Sequence, residues 1–560
     1  MPFPVGTLRV TAAVALLALS LGACGDDDNT NPPATPPAPT GLAAELSDDG
    51  TSVAVSWTAV SGATTYVLER AEGSPPGSFT ELADTITGTA YTDADIVAGT
   101  AYSYHVAAVN DAGQGNFSST VTVGAAPGEA IDTLTGDITA DQTLSADTLY
   151  VLSGFVKVNS GATLTIPAGT TIVGDTAVPG SSLFILRGAQ IDAQGTVTEP
   201  IVFTSMRPEG SRAPGDWGGI VIVGNGLINK VGTVATEGPQ EAAQPYSGGT
   251  DNADNSGILR YVRIEFAGYD VSAGAGQELN SLSMYAVGSG TTLEFVQSLT
   301  GLDDAFEWFG GAVDGRFLVS YESGDDHFDW TEGYRGRNQF LIGFQSTRVD
   351  PLPGAGVLAT DPEGFEADNC NGDGCDAGFA SDPFTIPVFA NFTLVGSGTA
   401  TTPTSGDIGM VLRRGTGGYL TNGIVARWQS QGISVRDTVT NDQRDADSLN
   451  VVNIVLAENG ANYDADGVEN IFGTQGSFAG DNHIESAETA AGLITSLTTT
   501  SLDWTPVAGS DAESGAGVVV IPGAYTADFF GGTLENTTYF GAAEPGGTKW
   551  WEGWTRYATE

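Results

Sequence analysis

The 560-residue chain carries 68 acidic and 20 basic side chains, a formal net charge of −48. This charge repels nucleic acid, which argues against DNA or RNA as a partner, and no P-loop or dinucleotide fingerprint indicates a nucleotide. Short runs of β-branched and aromatic residues, separated by many of the 77 glycines, predict an all-β protein. The acidity has two open explanations, solubility or the binding of divalent cations.

Residues 1–23 have the pattern of an export signal. Arg9 precedes the apolar run 10–21, which is too short to span a bilayer permanently. The run leads into Leu-Gly-Ala-Cys, ending at Cys24, which resembles the lipobox of bacterial lipoproteins. The resemblance implies a lipidated Cys24 and a membrane anchor in the bacterial cell envelope, at the outer membrane or cell surface. The alternative is an ordinary signal peptide cut after Ala23.

The composition changes twice in the next hundred residues. Residues 24–39 are rich in Asp, Pro, Ala and Thr, so they cannot bury a core and are expected to form a partly extended tether. Between residues 40 and 124, buried-type and polar residues alternate, as at Val53, Val55 and Trp57. About seven short strands of this kind predict a β-sandwich.

The sandwich segment resembles a fibronectin type III domain over its whole length. The resemblance rests on Trp57, Tyr66 and the run TAYSYHVAAVNDAG at 100–113. It implies that Trp57 and Tyr66 are core residues and that Tyr102 is the tyrosine-corner residue. His105 alternates with its apolar neighbours, so we expect it on the surface.

From residue 130 onwards, short apolar runs are separated by glycines. The segments GATLTIPAGTTIVG at 161–174, RGAQIDAQGTVTEPIVFTS at 187–205 and GDWGGIVIVGNG at 215–226 resemble the opening coils of right-handed parallel β-helix proteins. That group, the pectate-lyase-like superfamily, includes enzymes, tailspikes and uncharacterised bacterial surface proteins. The resemblance implies a parallel β-helix over 130–560, clearest up to about residue 345.

Loops and a cap are expected to interrupt or close the β-helix, whose regular coils should run to about residue 456. The predicted insertions are 228–256, 346–385 and 457–515, the last with a helix at 485–497. The aromatic residues of 549–557 are expected to cap the open last coil, the alternative being a platform for sugar stacking.

A hexapeptide occurs twice, as DDAFEW at 303–308 and DDHFDW at 325–330. A repeat of about 22 residues in a glycine-rich β segment predicts coils whose equivalent positions stack at about 4.8 Å. Phe306 should therefore lie on Phe328. His327, between the two acids and Phe328, is expected to occupy a turn.

The repeat would bring six carboxylates together: Asp303, Asp304, Glu307, Asp325, Asp326 and Asp329. With the phenylalanines inside, Glu307 and Asp329 would face outward about 5 Å apart, where their repulsion is on the order of 3 kcal/mol. Three remedies are open: salt bridges with Arg316, Arg335 or Arg337; a bound Ca²⁺ ion; or protonation, as in a catalytic acid pair.

The resemblance also implies where catalysis would lie if the chain is an enzyme. Pectate-lyase-like enzymes combine Ca²⁺-binding acids with an arginine base, so Arg335 or Arg337 would act beside Asp325 and Asp329. No catalytic motif of the family is present in the sequence, however, so no catalytic residue is assigned.

Two further loops place Asx residues at alternate positions before a glycine, NCNGDG at 369–374 and NYDADG at 462–467. This spacing resembles the first half of an EF-hand loop. The resemblance implies these Ca²⁺ ligands: Asn369, Asn371, Asp373, Asn462, Asp464 and Asp466. The glutamate expected at position 12 is missing from both loops, and an Asx-rich turn is the alternative.

Cys370 and Cys375 complete the three cysteines of the chain. Export to an oxidising compartment favours a disulfide between them over free thiols. Neither a Cys-x-x-Cys pair nor a nearby histidine indicates zinc. The sequence therefore predicts a small disulfide-closed loop.

These features predict a lipid-anchored surface scaffold or adhesin-like protein, stabilised by Ca²⁺, that binds a glycan or a surface protein. The alternative is a β-helix polysaccharide lyase or glycoside hydrolase that acts on acidic polysaccharide near residues 303–337. A groove with an arginine poised over the carboxylates would favour the enzyme, and a loop-covered face would favour the scaffold.

The lipobox leads to a first prediction. Cys24→Ser removes the sulfur that would carry the lipid, so the protein should move from the detergent phase to the aqueous phase in Triton X-114 partitioning. Cys370→Ser, a matched substitution far from the signal, should leave the partitioning unchanged. Retention of the Cys24→Ser protein in detergent would contradict lipidation at this residue.

Overall fold

A computed structural model describes residues 34–46, 52–72, 78–96, 102–123, 130–270, 277–398, 407–465, 472–517 and 521–558. The predicted signal, Cys24 and much of the tether lie outside the described residues. The chain divides into two compact units, Met1–Gly128 and Glu129–Glu560. A search of the described residues finds no helix long and apolar enough to cross a membrane.

The first unit is a β-sandwich. Its strands are β1 (Ala43–Leu46), β2 (Val53–Ser56), β3 (Thr65–Glu72), β4 (Thr80–Ile86), β5 (Ala90–Asp93), β6 (Tyr102–Asn110), β7 (Gly113–Phe117) and β8 (Val121–Val123). One sheet has the order β1-β2-β5 and the other β4-β3-β6-β7, with β8 also paired to β6. Trp57, Tyr66 and Tyr102 are buried in the core, as predicted for the first two.

His105 is half-buried rather than fully exposed. Its ring is stacked between Phe79 and Phe117, with centroid distances of 3.9 Å to each. Its Nε2 is 2.7 Å from a carboxylate oxygen of Glu69 on the neighbouring strand. Two aromatic neighbours, which the alternation of β6 alone does not reveal, account for the partial burial.

The second unit is built on a 24-stranded sheet whose strands pair in parallel from coil to coil. Its strands are β9 (Ala130–Ile138), β10 (Gln142–Thr143), β11 (Thr148–Val158), β12 (Thr163–Ile166), β13 (Thr171–Gly174), β14 (Ser182–Ile185), β15 (Gln190–Gln194), β16 (Ile201–Ser205), β17 (Gly219–Val223), β18 (Gly257–Glu265), β21 (Leu282–Tyr285), β22 (Thr292–Leu299), β23 (Phe306–Phe309), β24 (Asp314–Tyr321), β25 (Phe328–Thr331), β26 (Arg337–Phe344), β27 (Glu363–Ala367), β28 (Val388–Val395), β29 (Ile408–Leu412), β30 (Gly418–Ala426), β31 (Gln431–Val435), β32 (Leu449–Ala457), β33 (Ala461–Tyr463) and β34 (His483–Glu485). The pairing pattern confirms the predicted parallel β-helix.

Smaller elements lie outside this sheet. They are the strands β19 (Tyr269–Asp270), β20 (Glu278–Leu279), β35 (Ile494–Ser496), β36 (Asp503–Pro506), β37 (Ala527–Phe529) and β38 (Gly532–Thr533), the helices α1 (Thr438–Asp445) and α2 (Ala490–Leu493), and the 3₁₀ helices Gly378–Ala380, Gln475–Phe478 and Gly523–Tyr525. The small strands pair antiparallel as β19–β20, β35–β36 and β37–β38.

Each central coil contributes one long and one short strand. The long strands, from β18 to β32, stack on each other, and the short strands from β21 to β33 form a separate stack, which we call the short-strand face. On this face Phe306 is paired with Phe328, and their rings are stacked at 5.4 Å with an interplanar angle of 9°. The predicted stacking of the two hexapeptides is confirmed.

The long strands bend at a residue in the left-handed region, where a side chain is ordinarily strained. The residues concerned are Tyr261, Phe295, Phe317 and Phe340, then Asn391, Asn422 and Asn453, with φ between 50° and 64°. The aromatic rings stack at 4.4, 4.5 and 5.2 Å, and Asn453 donates to Asn422 at 2.9 Å. Contacts between equivalent residues on neighbouring coils therefore offset the strain.

Three predictions about the later coils are wrong. The coils continue past residue 456 through β33 and β34, and the predicted loop 346–385 contains β27, because Phe365 and Ala367 fill the interior. The predicted helix 485–497 is reduced to α2, which leads directly into β35. A short run of apolar residues does not show whether it forms a buried strand or a buried helix, because both pack apolar side chains inside.

The aromatic C-terminal segment does not cap the last coil. Residues 535–558, which we call the C-terminal strap, lie along the outside of earlier coils. Trp550 is 5.1 Å from Phe317, and Trp554 is 5.8 Å from Tyr261 and 6.0 Å from Phe295 between ring centroids. The bend residues leave an apolar stripe outside the core, and the strap buries it.

Loss of this packing should release the strap. Trp554 is fully buried, so Trp554→Ala should cost about 3–5 kcal/mol of local packing. Limited trypsin digestion followed by mass spectrometry should then show faster cleavage after Lys549 and Arg556. Glu544→Gln, at an exposed position of the same segment, should leave the rates unchanged, and equal rates in both variants would contradict the packing argument.

Candidate metal centre

Three consecutive strands of the short-strand face carry acidic residues in register. Phe306, Phe328 and Phe365 are paired from coil to coil and point inward. The residue directly after each phenylalanine is acidic: Glu307, Asp329 and Glu366. The residue two positions before each phenylalanine is acidic as well: Asp304, Asp326 and Glu363. Since side chains alternate along a strand, the acids that follow the phenylalanines turn outward together.

A cavity of about 500 Å³ lies over these acids. Within the described part of the chain, twelve acidic and two basic residues line it: Glu237, Glu278, Asp303, Asp304, Glu307, Asp325, Asp326, Asp329, Glu332, Asp361, Glu366, Asp368, Lys230 and Arg414. Residues 357–361 form part of its wall. The cavity therefore concentrates negative charge in a partly covered space.

Cationic side chains neutralise one side of the cavity. Arg413 contacts Glu366 and also Asp368, the latter at 3.1 Å, and Arg414 contacts Asp368 as well. A second contact joins the Lys230 Nζ to a Glu332 oxygen at 2.7 Å. Glu332, Glu366 and Asp368 thus have cationic partners.

The three arginines that were one possible remedy for the charge of the repeat contact other residues. Arg316 contacts Glu294, the Nε of Arg337 donates to Asp314 at 2.9 Å, and the Nε of Arg335 donates to the Phe384 carbonyl at 2.9 Å. Salt bridges with these arginines, one of the three open remedies, are therefore excluded, because Arg316 and Arg337 lie on long strands and the repeat lies on the short-strand face. Neither Arg335 nor Arg337 lines the cavity.

Backbone hydrogen bonds fix the turns that carry the carboxylates. Asp326 N–H donates to Asp304 Oδ1 at 2.8 Å, and Glu363 N–H donates to Asp326 Oδ1 at 2.5 Å. Asn280 takes the equivalent position one coil earlier and accepts from Asp304 N–H at 3.2 Å. A carboxylate or amide oxygen of one coil therefore accepts a hydrogen bond from the backbone of the next coil and holds it in position.

The carboxylates fall into four overlapping groups of three. The groups are Asp303, Asp304 and Asp325; Asp304, Glu307 and Asp329; Asp325, Asp326 and Glu363; and Asp326, Asp329 and Glu366. In each group, one oxygen of every member lies within 4.8 Å of the others. Because Ca²⁺–oxygen distances are about 2.4 Å, one ion can contact all three oxygens of a group.

Burial and mutual repulsion raise the pKa values of these acids. Burial, followed by the charge of Asp361, raises the pKa of Asp325 to about 7. Burial, followed by the charge of Asp368, raises the pKa of Asp329 to about 7. Burial also raises the pKa of Glu363 to about 8 and the pKa of Glu307 well above its usual range. Without a cation, the cavity would hold protons near neutral pH.

Three carboxylate oxygens in the cluster are buried without a hydrogen-bond partner. They are Asp325 Oδ1, Asp329 Oδ1 and Glu363 Oε2. A buried polar atom without a partner costs about 1–3 kcal/mol, and more when it is charged. A cation bound by these atoms would remove that cost.

The loop around the predicted disulfide only partly joins the site. Cys370 and Cys375 are disulfide-bonded, and Asn371 lines the cavity. Asn369 donates to two carbonyl oxygens at 2.9 Å, and its Oδ1 accepts from Thr385 N–H. Its side chain is therefore hydrogen-bonded within the fold, while Asp373 is exposed and does not line the cavity.

The second predicted loop does not join the carboxylate groups. Asn462 donates to Glu485 at 3.0 Å. Asp464 is buried, which raises its pKa, and Asp466 lies outside the described residues. His327 lies in a bend, as predicted, but is buried, and burial lowers its pKa to about 3.

Sequence reasoning missed a third copy of the repeat. In Glu363-Gly-Phe365-Glu366, the phenylalanine and the acid after it match the hexapeptides, but the copy comes 37 residues after Phe328 because a long excursion intervenes. The phenylalanine followed by an acidic residue would have been enough to find this third copy in the sequence. Glu237 and Glu278, in contrast, come from other segments and have no sequence signal.

A parallel β-helix with an acidic cavity on one face, joined to a small β-sandwich, defines the class of this protein. Residues 136–505 match the family described as a pectate-lyase like beta helix domain, and the chain belongs to this family. Residues 37–124 match the fibronectin type III domain. Both matches confirm the two predicted folds.

Other similarities cover short parts of the chain. A poly(3-hydroxybutyrate) depolymerase from Ralstonia pickettii is 45% identical over 86 residues, 15% of this chain and 16% of that protein. The chain thus spans about 16% of the length of this curated relative. A solved Fn3-like protein from Clostridium thermocellum is 36% identical over 16% of this chain and 92% of its own, with a TM-score of 0.15. A fibronectin type III domain of human collagen alpha-1(XX) is 26% identical over 18% and 92%, also with a TM-score of 0.15.

The raised pKa values predict how stability depends on pH. In the folded protein without metal, Asp325, Asp329 and Glu363 hold protons up to about pH 7–8, whereas in the unfolded chain they lose them near pH 4. The folded state therefore binds more protons in this interval, and stability should fall as pH rises from about 4 to 8. Thermal unfolding in chelator, at a series of pH values, measures this.

A matched variant isolates the contribution of the cluster. Asp325→Asn with Asp329→Asn keeps the side-chain shape and removes two titrating groups, so the decline in melting temperature with pH should become shallower. A wild-type melting temperature that rises between pH 5 and 8 in chelator would overturn the assignment of raised pKa values.

Proposed function

We propose that this chain is an exported, lipid-anchored protein of the bacterial cell envelope that binds a glycan or a surface protein without transforming it. Ca²⁺ in the acidic cavity stabilises its β-helix. The observation that carries the proposal is the set of carboxylate groups on three stacked coils, each of which offers three oxygens to one ion.

The chemistry of the donors favours Ca²⁺. All members of the groups are carboxylates, which are hard oxygen ligands that suit Ca²⁺ rather than softer transition metals. The stacking of coils keeps Glu307 beside Asp329 and Asp329 beside Glu366. The fold therefore cannot separate these charges, and a divalent cation is the simplest counter-charge.

The positions of the arginines support binding rather than catalysis. Arg413 and Arg414 are engaged with Glu366 and Asp368 at one side of the cavity. Arg335 and Arg337 contact residues of other elements. An arginine base must be free to approach a substrate carbon, and these four side chains already hold other partners.

A polysaccharide lyase or glycoside hydrolase is the second candidate function. Asp325 and Asp329 line the cavity, and burial raises the pKa of each to about 7. A carboxyl group that titrates near neutral pH can transfer protons efficiently. The family described as pectate-lyase like fits this candidate as well as the binding protein.

One experiment separates the two functions. The full chain with Cys24→Ser is tested by affinity electrophoresis against polygalacturonate, alginate, hyaluronan and a neutral glucan, with and without Ca²⁺. Unsaturated products and new reducing ends are measured in parallel. We expect Ca²⁺-dependent retardation without new products.

Products that vanish in Asp325→Asn or Asp329→Asn would establish the enzyme instead. Retardation that is unaffected by chelator would contradict the role of Ca²⁺. The absence of both retardation and products would exclude these glycans and direct the search to a surface protein.

A further inference from the structure

We infer that carboxylates in and beside the acidic cavity bind two divalent cations, each held by its own group of three carboxylates. This inference rests on the proposed function and specifies how the ions are arranged. One group is Asp304, Glu307 and Asp329, and the other is Asp325, Asp326 and Glu363.

The two groups share no residue, so both can be occupied at once. Within each, the ligand oxygens lie within 4.8 Å of one another, twice the usual Ca²⁺–oxygen distance. The first group combines two outward side chains of β23 and β25 with Asp304 from the preceding turn. The second consists of Asp325 and Asp326 from the turn before β25 and of Glu363, the first residue of β27. The first ion would therefore bridge the coils of β23 and β25, and the second would bridge the coils of β25 and β27.

Buried oxygens without partners occur in both groups. Glu363 is 2% exposed, and its Oε2 has no hydrogen-bond partner. Asp325 Oδ1 in the same group and Asp329 Oδ1 in the other are also buried without a partner. A single ion in either group would leave such an atom unsatisfied in the other group.

The alternative division into groups is less favourable. The remaining pair of groups, Asp303 with Asp304 and Asp325, and Asp326 with Asp329 and Glu366, is also disjoint. Glu366 already contacts Arg413, however, so using it as a metal ligand would compete with a salt bridge. The division that we infer uses no carboxylate with an arginine partner.

Charge balance points the same way. Six ionised carboxylates carry six negative charges, of which one Ca²⁺ would neutralise two and a pair would neutralise four. Because neighbouring coils are about 4.8 Å apart, the repulsion left by one ion acts at short range.

The test is a count of bound ions. The full chain with Cys24→Ser is equilibrated with Ca²⁺ and analysed by isothermal titration calorimetry and by elemental analysis after dialysis. We expect two ions per chain. Glu363→Gln should abolish one of them, and Glu307→Gln should abolish the other, each leaving one ion bound.

Asp361→Asn is the matched control. Asp361 lines the cavity but belongs to none of the carboxylate groups, so its variant should keep two ions although the cavity loses the same charge. Circular dichroism and thermal unfolding in chelator confirm that each variant is folded before ions are counted.

The outcomes distinguish this inference from the proposed function. One ion in the wild-type chain would overturn the paired site and leave the proposed function standing. No bound ion at millimolar Ca²⁺ would overturn both. Two ions that persist in Glu363→Gln and in Glu307→Gln would place the ions elsewhere and overturn the inference.

Discussion

In-register stacking of parallel coils is the constraint on which the rest of this structure depends. Each strand pairs with the equivalent strand of the next coil, so a residue lies about 4.8 Å from its counterpart whatever its chemistry. For Phe306 and Phe328 the result is two parallel rings in the core. For Glu307 and Asp329 the same geometry brings two negative charges together.

Stacking of equivalent residues offsets the backbone strain at the bends of the long strands. A left-handed conformation at Phe317 or Asn422 is unfavourable for an isolated residue. Repetition on successive coils allows ring stacking in one half of the β-helix and amide hydrogen bonds in the other. The aromatic half leaves an apolar stripe on the outside, which the C-terminal strap covers. The strap thus follows from the bend residues rather than from the need to close the last coil.

The acidic cluster is the place where stacking and local chemistry conflict. Burial and repulsion raise the pKa values of Asp325, Asp329 and Glu363 to about 7–8, and some of their oxygens have no partner. Several other buried acids have an arginine partner, as with Arg337 and Asp314 or Arg316 and Glu294. Buried acids that lack a positively charged partner are therefore the place in this fold where a ligand is expected.

The sequence by itself determined the all-β class, both folds and the stacking of the two hexapeptides, because alternation and a 22-residue period are local patterns. It also identified most of the clustered carboxylates, since Asp303 to Glu307 and Asp325 to Asp329 are visible as copies. Only the tertiary structure showed that Arg316 and Arg337 belong to the long strands, that Glu363 and Glu366 complete the cluster, and that the strap lies along the coils. These three features depend on which face of the β-helix a residue occupies and on how many residues the chain inserts between two consecutive coils. Neither quantity is encoded in the spacing of residues, because an excursion can add residues between two coils without changing how the coils stack.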